Sequence, residues 1–311
     1  MRTVYLNGRF VPESEAKLSI YDLSVMQAAA AFEMTRSFNG NHFKLREHLM
    51  RLEQSCRLLS ILPPHELTEP LDFLEELCWS VGAHNDHGPG EEHRLLIVVS
   101  PGAASIYKDI EGTINHPFLY IADFPLRYTV AGFSKYFTEG VHCVTSKVQQ
   151  VPDACLPSAA KHRSRLHFHL AQQQAPQGTW PLMLDARGWY CEAPGANLVH
   201  TEDHNVFTWE RSALPGISLQ TVKELTDAHR AYGGYGFADA DELWLTGTPF
   251  CMLPVVSLDG KPIGDGKPGP VYQKTLAKWS KLVGVDIQGQ IERWDAERTH
   301  ANQSGINLTL R

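Results

Sequence analysis

One lysine and one glutamate in the middle of the chain have surroundings suited to amine chemistry. Lys161 lies between a small-residue turn, Pro157-Ser158-Ala159-Ala160, and a helix predicted over Arg163–Gln174. Glu192 ends an apolar strand pattern, Pro181–Leu184 and then Trp189–Cys191, just before the tight turn Ala193-Pro194-Gly195-Ala196-Asn197. An amine at such a boundary can lose part of its hydration. That lowers a lysine's pKa and makes it a usable Schiff-base nucleophile. A carboxylate aimed at the same place would keep a pyridine nitrogen protonated, and the pair is what pyridoxal phosphate chemistry requires. Most lysines and glutamates are solvated surface groups, so the pair gains meaning only from the rest of the chain.

Two glycine turns supply a second kind of chemistry. Gly216-Ile217-Ser218 precedes a predicted helix, and Gly247-Thr248 follows the strand Leu243–Leu245, with Pro249 suited to a first helical position. Glycine lets backbone N–H groups approach an anion, and Ser218 can cap the helix or donate its hydroxyl to a ligand. Either turn alone reads equally as an ordinary N-cap. Beside the Lys161/Glu192 pair, the two match the anion cradle that a phosphorylated cofactor needs. The chain contains neither a Walker-type phosphate loop nor a GxGxxG fingerprint, which disfavours nucleotides.

The elements that must position these groups follow from pattern. With 311 residues, 43% hydrophobic and 20% charged, the chain can bury a large core and is expected to form two domains. Asn7-Gly8 joins Thr3–Leu6 to Arg9–Val11 as a hairpin, and Asn39-Gly40 makes a second one into His42–Lys44. Ala28–Phe38 is assigned as strand, because Phe32, Met34 and Arg36 then share one face and Glu33, Thr35 and Ser37 the other. Leu45–Leu62 and Glu66–Val81 are amphipathic helices; Arg94–Ser100, Pro117–Asp123 and Val141–Ser146 are strands. A helix runs from Leu214-Pro215-Gly216 to about Tyr232, Asp259-Gly260 turns a hairpin, and the helix Val271–Val283 precedes a polar tail. The predicted division is a small N-terminal domain over 1–123, a linker over 124–134, and a larger domain over 135–311 carrying the lysine. Many hairpins among irregularly alternating elements indicate an α+β fold.

Composition narrows the partners. Net charge is −7, the pI is near 6.1, and no basic block exceeds two residues, so nucleic acid is not expected. No run approaches the roughly 18 apolar residues of a membrane span, and no signal core opens the chain, so a cytoplasmic protein is expected. The six cysteines are scattered and read as reduced core residues. No metal site is expected: His84/His87 and His167/His169 have ligand-like spacing, but each pair lacks a nearby third ligand.

Taken in order, the motifs resemble the fold-type IV, or class IV, pyridoxal-phosphate enzymes. The resemblance runs through VYLNGRFVP, FEMTRSFNGNHFKLREHLMRL, the Lys161 segment, DARGWYCEAPGANLV, LPGISLQTVKEL and ADELWLTGTPFCMLPVVSLDGKPIGDGKPGPV. It implies a two-domain α+β fold, a small α/β domain beside a larger one with a pseudo-barrel of mixed strands. It also implies a homodimer, pyridoxal 5'-phosphate as cofactor, and ping-pong transfer of an amino group from a branched-chain-like amino acid to a 2-oxo acid through a Lys161 aldimine. Glu192 resembles the acid that pairs with the ring nitrogen, and Arg51 the arginine that contacts the phosphate. Gly216, Ile217, Ser218, Gly247 and Thr248 resemble the remaining phosphate cradle. Phe32 and Arg36 occupy the strand that borders the substrate pocket, where Arg36 could equally make a structural ion pair; Arg127 is a candidate carboxylate partner.

The chain departs from that family in three places. Met26-Gln27-Ala28-Ala29-Ala30-Ala31 stands where Tyr-Gly-Asp-Gly is common, and alanines restrict the backbone there. Leu166 occupies the position of the tyrosine that contacts the cofactor's phenolic oxygen, leaving Arg163, Arg165 or His167 as substitutes. Ser100–Ile110 lacks the carboxylate trap of D-amino-acid enzymes. Alternatives on the same scaffold are an aminodeoxychorismate-lyase-like enzyme, a D-amino-acid or (R)-amine transaminase, and a non-catalytic degenerate homologue; a cofactor-free lysine aldolase leaves the anion turns unexplained.

Overall fold

The computed structural model describes residues 2–85, 87–88, 90–230, 237 and 240–303, with side chains through His300. The chain divides into two compact units. The first comprises Met1–Leu126 together with Leu156–Arg165, and the second comprises Arg127–Cys155 together with Leu166–Arg311.

In the first unit, β1 (Thr3–Leu6) and β2 (Arg9–Pro12) form the expected hairpin, with Asn7 and Gly8 both at positive φ, 46° and 83°. That is the primed turn whose twist matches the strands. A short helix α1 (Leu23–Met26), begun by the Asp22 side chain accepting from the Ser24 N–H, leads into β3 (Ala31–Met34). The single strand expected over 28–38 is broken: β3 ends at Met34, and β4 (Ser37–Phe38) pairs with β5 (Asn41–His42) in a separate ribbon turned by Asn39-Gly40. Helix α2 (Leu45–Leu58) follows; Ser60 at φ 55° and the two prolines after Leu62 prevent it from reaching the expected end. The next expected helix starts late, since Pro70 caps α3 (Leu71–Ala83) and only a 3-10 turn, His65–Leu67, precedes it. Strands β6 (His93–Ser100) and β7 (Phe118–Pro125) complete an antiparallel sheet of order β2-β1-β7-β6-β3.

The face alternation read for β3 is observed. Ala31 joins Leu49, Leu52, Cys56, Leu74, Cys78, Ile97 and Ile121 in the core beneath α2 and α3, while Phe32 packs on the opposite face with Val98, Leu96, Met34 and Tyr120. Removing any of these fully buried leucines would cost about 2–5 kcal/mol.

The segment expected as linker is structured: β7 runs through Pro125, a 3-10 turn covers Leu126–Tyr128, and the units divide at Leu126. The lysine, expected in the C-terminal domain, lies in the first unit instead, because its backbone bonds to β3 and α2.

The second unit carries α4 (Ser134–Thr138), β8 (Val141–Thr145), α5 (Leu166–Gln174), β9 (Thr179–Leu182), β10 (Glu192–Ala193), β11 (Ala196–Glu202) and β12 (Asn205–Thr208). Then come α6 (Ile217–Thr226), β13 (His229–Arg230), β14 (Glu242–Gly247), β15 (Cys251–Leu258), β16 (Lys261–Pro262), α7 (Pro270–Val283) and α8 (Ile287–Gln303). Its sheet is mixed, ordered β13-β12-β11-β14-β15-β8-β9, with β10 added to β11 and β16 to β15; β15/β8, β8/β9 and β12/β13 are parallel. Helix α6 stops at Thr226, where Asp227 turns left-handed (φ 53°), short of the expected Tyr232, which lies outside the described residues. The expected polar tail is helical, since Ile287, Ile291 and Trp294 recur at helical spacing and are buried. Helices set beside an antiparallel sheet in the first unit and a mixed sheet in the second make this an α+β fold. Among the described residues no helix is long and apolar enough to cross a membrane.

Candidate active site

Lys161 is held by strand pairing. In the first unit its carbonyl accepts the Phe32 N–H (3.0 Å), the Arg163 N–H donates to Ala30 (3.0 Å), and Ala31 bridges His162 in antiparallel register. Residues 161–163 therefore extend the sheet beyond β3, which would otherwise be its edge. Two further bonds fix the segment: Ser55 Oγ on α2 accepts the Lys161 N–H (3.0 Å), and Ser164 Oγ donates to the Ala28 carbonyl (3.1 Å). The lysine ammonium stands 4.9 Å from the centre of the Phe32 ring, with the guanidinium carbons of Arg163 and Arg165 at 4.3 and 5.6 Å. Three cationic side chains thus gather around one phenyl ring. Burial raises the Tyr120 hydroxyl's pKa, while Arg163, which hydrogen-bonds to it, pulls the other way.

Arg51 lies on the opposite face of β3. Its guanidinium grips Glu33 through two bonds, Nε to Oε1 at 2.7 Å and Nη2 to Oε2 at 3.0 Å, while His48 Nδ1 reaches Glu33 Oε2 at 2.7 Å. All three side chains are buried. Burial pushes the Glu33 carboxyl upward, but the Arg51 charge and the His48 interactions outweigh it and hold the group well below the usual carboxylate range. At His48, by contrast, burial prevails, lowering its pKa in spite of Glu33. Ser55 Oγ donates to the Arg51 carbonyl (2.8 Å) and so links this triad to the Lys161 backbone.

In the second unit Glu192 is buried at the start of a two-strand turn, paired Glu192↔Asn197 across β10 and β11. Its carboxylate accepts the Gln150 side-chain amide on Oε1 and the Leu214 N–H on Oε2 (3.2 Å). Asn197 ties the remaining pieces together. Its amide donates to the Leu214 carbonyl (2.8 Å), its Oδ1 occupies the space a Cβ on Gly216 would need, and its backbone pairs with Thr246 of β14. Gly247 is equally constrained: a Cβ there would meet the Gly195 carbonyl oxygen at 2.9 Å and Phe250 Cζ at 3.0 Å. Glu192 and both glycine turns thus meet at one junction. Gly216 is the N-cap of α6, and no side chain caps that end, so Ser218 does not act as the cap. Ile217 and Ser218 are buried. The second turn is not a helix start: Thr248, Pro249 and Phe250 close a hairpin between β14 and β15, and Cys251 takes φ 64° there.

Two predicted substrate contacts have other occupations. Arg36 is 1% exposed, with its guanidinium 3.9 Å from the Phe38 ring centre and Nε donating to the Ser37 carbonyl (3.3 Å). Arg127 pairs with Glu297 of α8 (3.4 Å) and lies over Trp294 (5.8 Å). Leu166, in the expected tyrosine position, is 68% exposed at the start of α5. Sequence reasoning missed Gln150, Asn197 and Ser55. Asn197 was within reach, as the residue that must face Glu192 across the PGA turn; nothing local marks Gln150 or Ser55.

The chain is similar to branched-chain-amino-acid aminotransferases. A putative branched-chain-amino-acid aminotransferase of Methanocaldococcus jannaschii is 26% identical over 295 residues, covering 90% of this chain and 96% of that one. The branched-chain-amino-acid aminotransferase of Escherichia coli K12 is 25% identical over 291 residues, 87% of this chain and 89% of that one. Among solved structures, an Escherichia coli branched-chain amino acid aminotransferase has a TM-score of 0.78 at 23% identity, covering 91% of this chain and 94% of its own. The branched-chain amino acid aminotransferase of Thermobaculum terrenum, solved in its PLP-form, has a TM-score of 0.74 at 20% identity, covering 95% of this chain and 96% of its own. At these identities the structures show a shared fold. The family model for class IV amino-transferases matches residues 30–258, from the residue before β3 through the whole of β15, and so takes in Lys161, Glu192 and both glycine turns: the chain belongs to the class IV aminotransferase family.

Proposed function

We propose that the protein is a pyridoxal-phosphate-dependent aminotransferase that moves an amino group from an amino acid of branched-chain type to a 2-oxo acid by a ping-pong route, as a homodimer. The observation that carries this reading is the junction in the second unit, where a buried carboxylate and two glycine turns are fixed by Asn197 and Leu214. The residues fit the cofactor. The α6 N-terminus presents N–H groups that no side chain caps, which suits a phosphate, and Glu192 suits a protonated ring nitrogen.

When bound, the cofactor supplies an electron sink for negative charge developing at the substrate's α-carbon. Lys161 would hold the cofactor through its amine and would move a proton at the substrate's α-carbon. Glu192 keeps the ring nitrogen's proton in place; donors on both of its oxygens favour the charged carboxylate. Gly216, Ile217, Ser218, Gly247 and Thr248 would hold the phosphate, while the two bonds from Arg51 to Glu33 support a structural role for that arginine. Phe32 borders the substrate, and the cations over its ring suit a substrate that carries a carboxylate. The Phe38 and Glu297 partners of Arg36 and Arg127 support structural roles for those two residues.

Replacing Lys161 with Ala should abolish the visible absorption of the bound cofactor while circular dichroism stays native; an unchanged spectrum would sink the nucleophile assignment. Glu192→Gln should keep cofactor binding and lower turnover by about 100-fold or more. A panel of L-amino acids, D-amino acids and chiral amines, scored by conversion of the cofactor to its amine form, identifies the donor.

A further inference from the structure

Away from the candidate active site, the first unit assembles a cluster that local spacing does not show. His87 follows α3 in the loop before β6, His93 begins β6, and Asp123 is near the end of β7. The sequence leaves His87 without a third ligand; the antiparallel pairing of β6 with β7 supplies both missing groups. Asp123 Oδ2 lies 2.9 Å from His87 Nε2 and 3.0 Å from His93 Nδ1, and the three candidate ligand atoms all fall within 4.8 Å of one another. Ligands about 2.0–2.1 Å from a tetrahedral zinc stand roughly 3.3 Å apart, a little farther than the two Asp123–imidazole separations, so Asp123 must give way slightly to admit an ion.

Three neighbouring features fit a ligand site. His93 Nε2 faces the Gly40 carbonyl (3.4 Å), the outer-shell partner that leaves Nδ1 free to ligate. Gly82 of α3 leaves the space above the cluster open; a Cβ there would meet His93 Cε1 at 3.3 Å and Asp123 Oδ2 at 3.7 Å. His42 has its ring centre 4.5 Å from that of His93, and its Nδ1 meets Thr35 Oγ1 (2.9 Å). Its Nε2 is buried and has no hydrogen-bond partner among the described residues. Asp123 is 1% exposed, and the His87 and His93 side chains are each 10% exposed, so the group is enclosed without being sealed from solvent.

The geometry points to a divalent-metal site of zinc type formed by His87 Nε2, His93 Nδ1 and one Asp123 oxygen, with a fourth position open to water or to His42 Nε2. Two imidazoles and a carboxylate are the donor set that borderline first-row ions accept. Bound there, the ion ties His87 to β6 and β7; it takes no part in amino transfer and does not depend on that reading.

The test uses the full-length chain, saturated with pyridoxal phosphate, chelator-treated and dialysed. Cobalt(II) added alone should bind one ion per chain with an intense visible d–d band, be displaced by one equivalent of zinc(II), and leave the cofactor spectrum unchanged. Zinc should also raise the thermal midpoint. His93→Gln and Asp123→Asn should weaken binding by tenfold or more. His87→Gln, in the loop, should do the same with native circular dichroism and an intact cofactor band, which guards against misfolding of the two buried variants. A folded wild-type chain that binds no stoichiometric cobalt or zinc at micromolar concentration overturns the proposal, as does equal binding by all three variants.

Discussion

Gly216 forms its turn by lacking a side chain. Asn197 Oδ1 fills the place of the absent Cβ and the Asn197 amide holds Leu214, whose N–H in turn reaches Glu192. An alanine at 216 must push Asn197 away from that carbonyl. Gly216→Ala is therefore expected to cost about 1–3 kcal/mol, the range for overpacking, and to weaken cofactor affinity by more than tenfold. Urea unfolding and cofactor titration check the two effects separately. At this scale the sequence was informative wherever the residue type itself dictates the geometry. Glycine turns and a carboxylate at a strand end can be read from the chain. That Asn197 joins them cannot, because its importance comes from two contacts with residues 17 and 19 positions away. Arg51 was legible as a charge but not as the partner of Glu33, which depends on the register of α2 against β3.

Strand β3 shows the same limit for elements. Its two faces were readable from alternation, since Phe32 and Glu33 differ so sharply, and both Asn-Gly turns were readable because positive φ at two successive residues admits few sequences. The break after Met34 was not, nor was the pairing of β3 with 161–163, which spans more than a hundred residues. The alanine run before β3 was read as a backbone restriction, and the structure locates the strain at Ala28, with φ 53° and a carbonyl that accepts from Ser164 Oγ. A left-handed alanine costs about 1–2 kcal/mol, partly offset in a glycine variant by greater freedom of the unfolded chain. Ala28→Gly should therefore stabilise the protein by about 0.5–1 kcal/mol in denaturant unfolding. A destabilised variant would show that the strain is absent. The tail after α7 was misread as merely polar because, among the described side chains, α8 buries only three apolar ones, Ile287, Ile291 and Trp294, beside Gln290.

For the whole molecule, the buried Glu33–Arg51–His48 group makes stability depend on acidity. Glu33 titrates lower in the folded chain than its unfolded value near 4.3, and His48 lower than its unfolded value near 6.5. In both cases the unfolded state binds protons more readily, so their contribution is complete at neutral pH. It declines first as pH falls through about 6.5 and again below about 4.3. Unfolding free energy measured from pH 8 to 3 should fall in that order. Glu33→Gln should lower stability at pH 7 by about 3–5 kcal/mol, since it leaves Arg51 buried without its acid, and should flatten the lower part of the curve. A variant as stable as the parent would remove the triad from this account. Fold class was legible from the mixture of hairpins and helices. The division of the chain was not, because composition marks a boundary near Leu126 but cannot reveal that ten later residues return to the earlier unit.

That return has a consequence for how the molecule is made. A ribosome that has released residues 1–126 has not yet supplied Leu156–Arg165, whose carbonyl and amide groups close the open edge of β3. The N-terminal piece must wait, half-templated, while part of its neighbour emerges. A gene cut at residue 126 would leave Lys161 and its neighbours on the fragment that lacks the rest of their unit. A cut placed after Arg165, by contrast, would leave the first unit whole but divide the second.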